Sequence, residues 1–154
     1  MYFWKIDNLK KDLIDEKVTE KDLFCYLLIP AVFIMIMMEL ALWLPPEEGN
    51  HWDLILSVSN VLICLLGLIY CFFKNGGGMG KDFLKRYVSV SFVMAIRLTV
   101  FMIPAFFLIY TSYFFIYPED TELVSTAIDT VPYIVMYVWY FWRVATHIQD
   151  VKGQ

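Results

Sequence analysis

The chain is poor in charge and in the side chains that carry chemistry. Charged residues make up 18% of its 154 residues, where a soluble domain carries about 25%. There are only two histidines, His51 and His147, and three cysteines, Cys25, Cys64 and Cys71. Each cysteine falls inside an apolar run and no C-x-x-C pair occurs, which excludes a disulfide framework and a thiol-redox pair. No histidine lies inside an apolar run, so Ser-His-Asp and Cys-His arrangements lack a member. A basic patch is also missing. The segments richest in Lys and Arg hold eleven bases against eight acids, which excludes a nucleic-acid footprint.

What the chain has is apolar length. Hydrophobic residues make up 60% of the sequence and aromatics 18%, and the mean hydropathy is +0.60. Four apolar runs, residues 23–44, 54–73, 88–112 and 127–146, each reach the ~20 helical residues that cross a hydrocarbon core of ~30 Å. The first begins only near Leu23 and has no A-x-A-like cleavage site, so it reads as a retained span rather than a signal peptide. The expected fold is an all-α membrane protein. A four-helix transmembrane bundle occupies residues 19–149, an N-terminal amphipathic interfacial helix residues 1–18, and a short tail residues 150–154.

In the first segment Phe3, Ile6, Leu9 and Leu13 recur at steps of three and four, one face of a helix with Lys and Asp elsewhere. This helix lies either on the cytoplasmic lipid surface or on the protein's own inner loops. Thr19-Glu20-Lys21-Asp22 reads as a capping box that starts a new helix near Glu20. The first span contains Pro30, and Glu39 is its only charge. In the second, Ser57, Asn60, Cys64, Gly67 and Cys71 form one helical stripe of small and polar residues. Such a stripe is expected to face protein, while Leu and Ile face lipid. The third passes from Val88 to Tyr117 with a single charge, Arg97. Tyr110, Tyr113, Phe114, Phe115 and Tyr117 form an aromatic belt at its outer end. In the fourth, Tyr133, Tyr137 and Tyr140 share a face and Arg143 can snorkel to the inner surface.

Between the second and third spans, Lys74 to Arg86 reads KNGGGMGKDFLKR. It falls short of a phosphate loop because Asn75 replaces the first Gly and Asp82 follows Lys81. A flexible connector is expected instead. Eleven of the twelve Lys and Arg residues lie in the N-terminal segment, this loop and the C-terminal end, and none in 45–53 or 118–126. The positive-inside rule therefore places both termini in the cytoplasm. The two histidines then fall on opposite sides of the membrane, so no metal site and no cofactor are expected.

Counted at ~1.5 Å per residue, Arg97 comes near mid-membrane, at a depth an outward-pointing side chain could share with Glu39 and Asn60. The expectation is an intramembrane polar centre of Arg97, Glu39, Asn60 and Asp129, with Arg97 paired to Glu39. Such a pair either fixes helix order and register or seats an ion, proton or anionic substrate.

The opening YFWKIDNLKKDLIDEKVTEKDLFCYLL, running into four apolar spans, resembles uncharacterised small four-span proteins of the bacterial inner membrane. The resemblance implies a multi-pass inner-membrane location and transfers no functional residue. The expected role is a non-enzymatic component that acts through self-association or a membrane-protein partner in the lipid bilayer. The alternative is an oligomeric channel or small transporter using Arg97, Glu39 and Asn60.

Overall fold

The computed structural model describes residues 2–41, 49–116 and 126–152, with the side chains at 109, 110, 112–116 and 129 set aside. Among these the chain forms five helices: α1 (Ile6–Ile14), α2 (Glu20–Ala41), α3 (His51–Lys74), α4 (Phe83–Ile116) and α5 (Ala127–Lys152). A single 3-10 turn spans Gly77–Met79, and no strand occurs among the described residues. Three of the helices, α2, α3 and the Phe83–Leu108 part of α4, are long and apolar enough to cross a membrane. Helix α5 is not among them, although Val131–Trp142 at its centre is free of charge.

Local chemistry sets the helix ends. At the start of α2, the Asp22 amide donates to Thr19 Oγ1 at 3.2 Å and the Thr19 amide donates to Asp22 Oδ2 at 3.2 Å. That is the expected capping box, and it orients two amides the helix itself leaves unpaired. A second box starts α3, where Asn50 Oδ1 accepts from the amides of Trp52 and Asp53 and the Asn50 amide donates to Asp53 Oδ2. Helix α4 runs unbroken through Pro104 for 34 residues, about 51 Å at 1.5 Å per residue. Residues 150–152, expected as tail, are the last turn of α5, and Val151 is buried.

Among the described residues the four long helices pack as an open row. Helix α3 packs on α5, α5 on α4, and α4 on α2, which leaves α2 and α3 at the two edges. Among the described residues α2 and α3 make no substantial contact with each other. Such an arrangement has no need of a central core if lipid tails, as apolar as leucine, cover the remaining faces. The buried core sits near one end of the two middle helices, at the start of α4 and the end of α5. There α1 lies across α4 and α5 and buries Ile6, Leu9 and Leu13 among Val90, Val93, Met94, Val144 and Ile148. The Ile6, Leu9 and Leu13 side of α1 is therefore covered by the helices α4 and α5 rather than by inner loops.

Candidate functional site

Arg97 sits in the fourth turn of α4 and is held by the chain's own N-terminal segment. Its Nε donates to the Trp4 carbonyl at 3.1 Å and its Nη2 donates to the same oxygen. The guanidinium also lies 5.5 Å from the centre of the Trp4 ring, within cation–π range. The segment reaches Arg97 because other contacts fix it first. The Tyr2 amide donates to Tyr26 Oη at 2.8 Å, Tyr2 Oη donates to Asp12 Oδ2 at 2.6 Å, and the Phe3 and Phe92 rings are 5.8 Å apart. Tyr2 to Lys5 thus form a strap across α2 and α4, clasped by Arg97.

The expected Arg97–Glu39 pair does not form. No hydrogen bond or ion pair joins the two, and Glu39 is exposed on α2. Two physical facts separate them. Helical side chains lean toward the N-terminus of their own helix, so Arg97 leans toward Phe83 and the strap rather than toward the far end of α4. The Tyr26–Phe92 ring contact at 4.9 Å sets the level of α2 against α4. Glu39 lies thirteen residues beyond Tyr26 and Arg97 five beyond Phe92, a difference of roughly 12 Å along parallel axes at 1.5 Å per residue. Asn60 is on α3, at the other edge of the row, and the Asp129 side chain lies outside the described residues, as do the side chains of the outer aromatic belt and the acidic stretches 45–48 and 118–122.

The small-residue stripe of α3 is divided. Gly67 and Cys71 are buried against α5, where a Cβ on Gly67 would fall 2.3 Å from Phe141 Cγ and the Cys71 thiol donates to the Phe141 carbonyl at 3.8 Å. Asn60 is half-buried, and its Oδ1 has no hydrogen-bond partner among the described residues. Ser57 and Cys64 are exposed. All three cysteines are free thiols.

A polar cluster not anticipated from the sequence joins α1 to the end of α5. Lys10 Nζ donates to Asp150 Oδ2 at 2.7 Å, and His147 Nδ1 lies 3.6 Å from the same oxygen. On its other side His147 Nε2 is 3.4 Å from Arg143 Nη2. Burial, with Lys10 and Arg143 adding repulsion, pushes the His147 imidazole down to about 4. The Lys10 hydrogen bond holds the Asp150 carboxyl below its usual range. The one advance signal was the helical spacing of Arg143, His147 and Asp150; their partner Lys10 is 140 residues away from Asp150.

Between α4 and α5 an open cleft of about 310 Å³ is lined mainly by apolar side chains, among them Leu98, Met102, Phe106 and Met136. Its polar groups are Thr99 and the phenols of Tyr133 and Tyr137, so it offers no acid–base pair. The neighbouring Tyr140 hydroxyl donates to the Ser91 carbonyl at 3.2 Å, and its ring stacks 6.2 Å from that of Tyr137. Among the described residues no three His, Cys, Asp or Glu side chains converge to hold a metal.

No family model, curated protein or solved structure matches the chain.

Proposed function

We propose that the protein is a four-pass component of the bacterial inner membrane that works by self-association or by holding partner membrane proteins, without catalysis. In this reading α2 to α5 are the spans and both termini face the cytoplasm. The observation that carries it is the open row. Among the described residues α2 has substantial packing on no long helix but α4 and leaves most of its surface uncovered, with Met35 69% and Met38 68% exposed on its outer half. Contiguous apolar surface of that extent marks a membrane or protein contact. The charge asymmetry of the loops supports the orientation. The uncharged centre of α5 and its place between α3 and α4 support a fourth span. The channel reading has less support, because the Trp4 carbonyl occupies Arg97 and Glu39 lies elsewhere.

Reporter fusions at each loop test the topology. The mass of the protein–detergent complex tests self-association, with a dimer or larger assembly expected. A single copy with no partner recovered from native membranes, together with robust ion flux in liposomes lost on Arg97→Gln, would replace this reading with the channel.

A further inference from the structure

We infer that the turn joining α3 to α4 is a seat for the phosphate of an anionic phospholipid. The turn is built rather than loose. Asn75 is fully buried; its Nδ2 donates to the Lys81 carbonyl at 3.1 Å and its Oδ1 accepts from Arg86 Nη1 at 3.1 Å. Gly76 takes φ +108°, and a Cβ on Gly80 would fall 2.3 Å from the Asn75 carbonyl oxygen, so the backbone closes around that one amide. Only glycine meets both demands without strain.

Around this turn stand Lys74, Lys81, Lys85, Arg86 and Lys152, none of which is in an ion pair among the described residues. Lys152 is brought in from the end of α5, its Nζ 3.0 Å from where a Gly76 Cβ would be. Asp82 is the only acid in the turn. A group of four or more bases beside a membrane helix end attracts anionic headgroups.

The apolar side chains choose the source of the phosphate. Met79 at the tip of the turn is 96% exposed, Leu84 73% and Phe73 68%. Apolar tips beside unpaired cations match the boundary between acyl chains and phosphates, a surface that a free phosphate cannot cover. The inference rests on α3 and α4 being spans, since that sets the turn at the lipid surface.

The test uses the purified full chain with phosphatidylglycerol or phosphatidylcholine of identical acyl chains, bound lipid being counted by native mass spectrometry. Phosphatidylglycerol is expected to bind in preference. K81Q/K85Q is expected to lose roughly fivefold in that preference per lysine, and K11Q/K21Q, at exposed lysines outside the turn, to lose none. Met79→Ser should weaken both lipids. Equal binding of the two lipids, or equal loss in the two lysine pairs, overturns the seat. Displacement by inorganic phosphate overturns it in favour of a free anion. Alkaline extraction reads the spanning separately. A chain that stays in the membrane without lipid preference sinks the seat alone, and a chain that washes out sinks the spanning reading.

Discussion

A guanidinium without a carboxylate needs other acceptors, and a backbone carbonyl with two lone pairs is one. The Trp4 carbonyl already accepts from the Ile6 amide at 3.1 Å, at the start of α1, and takes Arg97 as well. Arg97 therefore ties the entry of α1 to α4. Arg97→Gln is expected to free the strap at a cost of about 1.5–3 kcal/mol, the usual worth of a hydrogen bond to a charged group. Amide hydrogen exchange should rise sharply over residues 2–14 and little in α3. Exchanging the charges, Arg97→Glu with Glu39→Arg, should not restore protection; recovery would reinstate the direct pair. His147 makes a different prediction. Its folded pKa, about 4, lies below the ordinary 6.5, so its contribution is complete above pH 6.5 and is lost as pH falls toward 4. The lowered Asp150 carboxyl adds a further loss below that window, as pH falls under the ordinary 3.8. Melting midpoints should therefore fall between pH 7 and pH 4.5, and His147→Gln should flatten the upper part of that slope. An unchanged slope would refute the role of this imidazole.

At the scale of the element, packing between α3 and α5 depends on one missing methyl. Gly67→Ala must displace the buried Phe141 ring, and overpacking of this kind costs about 1–3 kcal/mol. A lower melting temperature that Phe141→Leu partly restores would confirm the contact. The element order was largely legible in the sequence because Pro, Gly and capping residues mark helix ends locally. Thr19-Glu20-Lys21-Asp22 announced the start of α2 at Glu20. The Asn50–Asp53 box was equally readable from its spacing: the apolar run of the second span begins at Leu54, and α3 starts ahead of it at His51. The lateral order of the helices was not legible. Apolar stripes say that a face is covered and do not say by which helix, and depth counting ignored the direction in which helical side chains lean. That lean, together with the α2–α4 level set by the Tyr26–Phe92 contact, keeps Arg97 from Glu39. The Lys10–Asp150 bond shows the same gap, since neither spacing nor composition relates residues so far apart.

At the scale of the molecule, the row α3–α5–α4–α2 sets the helices in an order unlike that of the sequence. The first two long helices stand at opposite edges, and the last one is flanked on both sides. Removing residues 127–152 should leave α3 without its main contact and α4 without half of its own, along with the face that receives Lys10. The truncated chain should be degraded in cells, and a separately expressed α5 segment should rescue it. A stable truncated chain would contradict the row. The order also bears on biosynthesis. A ribosome releases α3 and α4 before α5, so the two stand without their shared neighbour until α5 emerges. In the proposed membrane reading, half-made forms that hold α3 and α4 without α5 are open to membrane chaperones and proteases until α5 packs between them.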